Sequence, residues 1–160
     1  MRYLAKRVER ICDELYRLRI VQRIPLTDLI CKKGTYIRPE AADAATPPWT
    51  SFDSRTMHWY GPDEHYWFRT EFTVPKALNG KAMWLNVRTQ IEGDDGKNPQ
   101  FLLFVNNVPV QGMDMNHRDV LLSPKAISGE KLVFDLQAYT GTIHNEFNLF
   151  MEIQDRKSVV

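Results

Sequence analysis

From Tyr66 onward the chain repeatedly alternates apolar and polar side chains with a period of two, and this restricts the fold more than any other feature. Tyr66, Phe68, Thr70, Phe72 and Val74 alternate with Trp67, Arg69, Glu71 and Thr73, the pattern of a strand whose two faces meet different surroundings. Pro75 and the Asn79-Gly80 turn end it, and Met83, Leu85 and Val87 resume the alternation against Trp84, Asn86 and Arg88. Gln100 to Val105 is a short apolar run that stops at Asn106-Asn107, a pair that tolerates the positive φ of a tight hairpin, with Val108 to Gln111 as the returning strand. Asp119 to Leu122, Lys131 to Tyr139 and Asn145 to Gln154 supply three more. About seven short strands result, with no helices between them. Without a strand-helix-strand rhythm, the economical solution is antiparallel pairing in a mainly β, two-layer sandwich of the jelly-roll kind.

The head of the chain obeys another rule. Leu4, Val8, Ile11, Leu15 and Leu18 recur at alternating four- and three-residue steps with Lys6, Arg10, Asp13 and Arg17 between them, which predicts an amphipathic N-terminal α-helix over residues 1–24. Two heptads are too few for an independent coiled coil, so the stripe is expected to dock on the body of the protein or on a neighbour. Residues 25–65, opened by Pro25 and rich in Pro, Ala, Ser, Thr and Asp, read as an irregular connecting segment carrying Trp49, Phe52, Trp59 and Tyr60. Residues 66–160 then hold the sandwich, and with 1–65 they form one domain, for which 160 residues suffice.

Charge excludes some functions. The formal net charge of +1 argues against nucleic acid as a partner. The basic side chains concentrate at the head, where residues 1–23 hold seven Lys/Arg against three acids, but those acids interrupt any membrane-binding face. No apolar run reaches spanning length, and charges at Lys6, Arg7, Glu9 and Arg10 break the stretch a secretory signal would need. Cys12 and Cys31 show no ligand spacing and suit reduced thiols. The expectation is a cytoplasmic protein that does not bind a membrane.

The face opposite the expected core should be polar in a solvated sandwich, yet it carries Trp67, Trp84, Val133, Tyr139 and Phe150 among Arg69, Glu71, Asn86, Arg88, Asp135 and Glu152. Each ring can bury about 150–250 Å², so a cover is expected: the N-terminal helix, a second domain or a sugar ring.

Two runs carry a resemblance. WYGPDEHYWFRTEFTVP, from Trp59 to Pro75, and FVNNVPVQGMDMNHRDVLL, from Phe104 to Leu122, resemble the N-terminal region of glycoside hydrolase family 38 α-mannosidases of the bacterial and fungal-vacuolar type. The WFR-type strand, the VP stop and the later VN hairpin are also similar to galactose-binding-like jelly rolls that precede other glycosidase catalytic domains. The resemblance implies a non-catalytic module within a longer polypeptide acting on mannose-containing oligosaccharides. Its partner would be the chain's own C-terminal catalytic domain, with a second subunit as a further candidate. Zinc, the metal ligands and the nucleophilic aspartate would belong to that absent domain, so no cofactor, metal ligand or catalytic residue is assigned here. Two departures stand out: Asn106-Asn107 replaces the common Asn-Gly, and the Asp94-Asp95-Gly96 loop is idiosyncratic.

The candidate residues follow from both arguments. Trp67, Trp84, Asn116, His117 and Arg118 are candidates for the interdomain or substrate-rim surface, against a plain reading of 116–118 as a polar loop bonding its own backbone. Trp59 and Tyr60 are candidates for stacking on a sugar, the alternative function being a carbohydrate-binding module. Other motifs carry less. His117-Arg118-Asp119 mimics a kinase catalytic loop, but the required Asn is Pro124. His58, Asp63, Glu64 and His65 could be imagined around a metal, but a solvated turn fits better, and the Asp94 to Asn98 loop lacks the ligand ladder of a calcium site. The acids form no distinctive pair for glycoside hydrolysis.

Overall fold

The computed structural model describes residues 2–90, 99–142 and 146–157, so the Asp94 to Asn98 loop lies outside the described residues. The fold is a mainly β antiparallel sandwich with an N-terminal helix, as the alternation requires. Helix α1 spans Arg2–Arg19 and runs directly into strand β1, Ile20–Leu26, followed by β2, Leu29–Lys33. A short helix α2, Pro39–Ala44, starts on a proline at its first position, where the missing N–H costs no bond. Short strands β3, Thr50–Phe52, and β4, Trp59–Tyr60, precede the long β5, His65–Thr73. The remainder is β6, Met83–Arg88; β7, Gln100–Val105; β8, Val108–Met113; β9, Asp119–Ser123; β10, Lys131–Tyr139; β11, Glu146–Phe147; and β12, Phe150–Arg156.

Six strands pair in the order β3-β2-β5-β10-β7-β8, four in the order β1-β12-β6-β9, and β11 pairs with β4. The inward parity is the one expected: Phe68, Leu85, Leu103, Phe134, Leu136 and Ile153 are fully buried between the two large sheets. Asn106 and Asn107 close the β7–β8 hairpin with φ of 49° and 66°, so Asn meets the left-handed requirement that Gly usually serves. Asn106 also locks the turn to β10, its Oδ1 accepting from Val133 N at 2.8 Å. The Asn79-Gly80 turn carries the chain from one sheet to the other, since β5 and β6 belong to different sheets.

The segment 25–65 corrects the expectation of an irregular connector. It completes β1 and supplies β2, which binds β5 across four residue pairs, as well as β3 and β4. Pro25 sits within β1 because β1 is an edge strand, where a missing N–H breaks no ladder. Trp59, a sugar-stacking candidate, is instead a core residue, 1% exposed. Its ring lies 4.8 Å from Phe147 and 5.5 Å from Phe68, and its Nε1 donates to Asn148 O at 3.1 Å. No face remains for a ligand.

A candidate site on the outer face of the four-stranded sheet

The two large sheets treat their outer faces differently. On the six-stranded sheet, Trp67 projects outward and packs on Phe104 and Ala42 beneath residues 36–49, which include α2. Trp67 is 0% exposed. Polar bonds fasten this cover: Arg69 donates to Asp135 at 2.6 Å and to Asp43 at 2.6 and 3.2 Å, while its guanidinium lies 4.7 Å from the Trp49 ring. Lys32 donates to the carbonyls of Ala42 and Ala45, and Gln137 to that of Tyr36 at 2.8 Å. Burial raises Asp135 above the ordinary carboxylate pKa, with Arg69 offsetting only part of it. Trp67 therefore cannot serve as an interdomain contact, because the chain's own segment covers it.

The four-stranded sheet carries charge instead. Strand pairing aligns Pro25, Glu152, Asn86 and Asp119 across β1, β12, β6 and β9, and Gln154 and Arg156 follow Glu152 on the same parity of β12. These outward groups satisfy one another. Arg23 pairs with Glu152, which also accepts from Gln154 Nε2. Gln154 accepts from Arg156 Nε at 2.7 Å, and Arg156 pairs with Asp119. Asp119 accepts further bonds from Asn86 at 2.7 Å and from the Tyr16 hydroxyl of α1 at 2.8 Å. Burial opposes ionisation of Asp119, yet the bonds from Arg156, Asn86 and Tyr16 outweigh it and hold the carboxyl below its usual pKa. For Tyr16, burial and then the Asp119 carboxylate raise the phenol.

Trp84 belongs to this face. It is half-buried, with the Arg156 guanidinium 4.8 Å from its ring, a cation–π contact of order 0.5–2 kcal/mol. Part of the ring is thus covered by a charge of its own sheet.

Above this network lies a groove of about 430 Å³. Tyr16 and Ile20 border it at the junction of helix and strand, Arg23, Arg88, Asn116 and Arg118 project into it, and Asn86, Asp119 and Gln154 form its floor. Of the three consecutive candidates, Asn116 and Arg118 reach the groove. His117 does not: Asp114 Oδ1 accepts from the backbone N–H groups of Asn116 and His117 at 2.8 Å each and lies 2.9 Å from the His117 ring nitrogen, so this stretch is a self-bonded turn with His117 exposed. Tyr60 is 51% exposed and does not line the groove. The metal reading of 58–65 dissolves into local contacts, with Asp63 accepting from Tyr139, Glu64 paired with Lys33, and His65 stacked on Tyr139. Among the described residues no three His, Cys, Asp or Glu side chains group around a common point.

Residues that sequence reasoning missed are Tyr16, Arg23, Gln154 and Arg156. The signal for the last two was available: Glu152, Gln154 and Arg156 repeat at period two, opposite Met151 and Ile153. Tyr16 gave none, since it lies beside the apolar stripe of α1.

That stripe stays open. Leu4, Val8, Ile11, Leu15 and Leu18 are between 52% and 70% exposed, and α1 meets the sheet chiefly through Tyr16 near its end. Among the described residues no helix is long and apolar enough to cross a membrane.

No family model matches the sequence, and no curated protein matches it. Among solved structures the chain is similar to the β-glucuronidase of Ruminococcus gnavus, with a TM-score of 0.57 and 11% identity over 84% of this chain and 29% of that one. The apo structure of the same enzyme gives 0.56 and 11% over 83% and 28%, and its complex with D-glucuronic acid gives 0.55 and 11% over 84% and 29%. At this identity the likeness is one of fold. The chain spans less than a third of that enzyme's length.

Proposed function

We propose that this chain is a non-catalytic N-terminal module of a larger, zinc-dependent α-mannosidase of glycoside hydrolase family 38, and that α1 and the adjoining groove face the rest of that polypeptide. The observation that carries the reading is the open apolar stripe of α1 beside a sandwich whose own core is complete. Contiguous apolar surface on a soluble domain marks an interaction site. The two runs that carry the resemblance support it in a second way: Trp59 to Pro75 builds β4 and β5, while Phe104 to Leu122 builds the β7–β8 hairpin, β9 and the groove rim at Asn116 and Arg118. The likeness in fold to part of a glycosidase agrees with an accessory role.

The carbohydrate-binding alternative loses two of its three rings, since Trp59 and Trp67 are both buried and only Tyr60 is exposed. The test is enzymatic. The full polypeptide encoded with this chain is expected to hydrolyse an aryl α-mannoside and to lose that activity to a chelator, while the isolated chain shows no turnover. Turnover by the isolated chain, or a full polypeptide inert toward α-mannosides, would overturn the reading.

A further inference from the structure

The charges around the groove do not cancel. Arg23 is taken by Glu152 and Arg156 by Asp119, which leaves Arg88 and Arg118 with no carboxylate partner among the described residues. Arg88 is only part-exposed, and its Nε is buried without an acceptor. A buried charged donor left without an acceptor is unfavourable, and the same Arg88 side chain borders the groove. Asn116 adds an amide at the rim that makes no side-chain bond to the described residues. We propose that this groove is a binding site for a small oxyanion-bearing ligand, a carboxylate or phosphate on a body no larger than a monosaccharide, held between Arg88 and Arg118.

Three considerations fix the class. Guanidinium forks match the paired oxygens of carboxylates and phosphates, and such bonds are shorter and stronger than neutral ones. The space, about 430 Å³, falls at the lower end of ligand pockets. The remaining lining is the Asn86, Asn116 and Gln154 amides, Ile20, the Tyr16 ring at 43% exposure, Arg23 paired with Glu152 and the Asp119 carboxylate engaged by Arg156, a mostly polar surface that suits hydroxyls around an anionic group more than an apolar body. The floor is pre-organised, because Asn86, Gln154, Arg156 and Asp119 are held by one another. This inference concerns the chain itself and stands or falls independently of the enzyme to which it belongs.

The experiment titrates the 160-residue chain with inorganic phosphate, D-glucuronate and neutral D-mannose, following amide NMR shifts. The expected result is saturable binding of at least one anion, shifts centred on Arg88, Arg118 and Asn116, weakening with added salt, and no saturation by mannose. Phosphate and glucuronate that compete mark a general oxyanion site, and glucuronate binding alone marks a sugar acid. R118Q, at an exposed position, is expected to weaken binding about tenfold, whereas K125Q, outside the groove, leaves it unchanged. R88Q gives a second test, with its spectrum reporting that the fold persists. Absence of saturation by either anion into the millimolar range, equal binding of mannose, or equal losses in R118Q and K125Q would overturn the proposal.

Discussion

The outer faces of the two sheets began from the same sequence pattern, bulky rings interleaved with charges, and ended in opposite states. The six-stranded sheet is sealed by its own chain: Trp67 disappears beneath residues 36–49, and Arg69 and Lys32 fasten the seal. The four-stranded sheet is left as a network of mutually satisfied charges under a groove, beside a helix whose apolar stripe stays more than half exposed. The lesson is that an outward Trp does not by itself announce a missing partner. A preceding loop can cover it, as for Trp67, or a neighbouring Arg can, as for Trp84.

The largest expected effect breaks the sealed face. Trp67→Ala should destabilise the isolated chain by about 3–5 kcal/mol, the range for truncating a buried large ring, measured by urea unfolding. Trp84→Ala on the open face should cost less, about 1–3 kcal/mol, because the ring is only half-buried and its main partner is a guanidinium. Equal losses would erase the distinction between the faces.

A second comparison uses one carboxylate from each face, since their shifts are opposite. Asp119 has its folded pKa lowered, so its stabilising contribution is fully present above the unfolded value near 3.9 and is lost as pH falls through the folded value. Asp135 has its folded pKa raised, so its contribution is fully present below the unfolded value and is lost as pH rises through the folded one. Asp119→Asn should therefore flatten the acid limb of stability against pH, and Asp135→Asn should steepen it. Unfolding free energies followed through the acid range check both signs, and the same direction in both variants would contradict the assignment.

The smallest expected effect concerns the stripe. Ile11→Lys and Leu15→Lys should change the stability of the isolated chain by no more than about 0.5 kcal/mol, as for surface substitutions. In the longer polypeptide proposed above, the same changes should lower thermal stability clearly. A large loss in the isolated chain would mean that the stripe already packs within it.

Much of this fold was legible because period-two alternation is a strong signal wherever one face is buried: the inward parity of β5, β6, β7, β10 and β12 follows directly from it. Residues 20–33 and 50–60 were obscured for physical reasons. Pro25 reads as a breaker unless the strand is known to be an edge, and strands as short as β3 and β4 show too few residues for a period. The site was legible only in fragments. Asn116 and Arg118 stood out with their motif, but Arg156 reaches the groove floor through cross-strand neighbours, and Tyr16 through the angle at which a helix enters a sheet. Neither relation is written in local spacing.

Amide hydrogen exchange of α1, in the isolated chain and in the longer polypeptide proposed above, tests the account most directly. An 18-residue helix held mainly at one end is marginal in water, so its amides should exchange rapidly in the isolated chain, far ahead of β5 and β10, and become protected in the full polypeptide. Core-like protection of α1 in the isolated chain, or no gain of protection in the full polypeptide, would contradict the view that this helix carries the surface awaiting a partner.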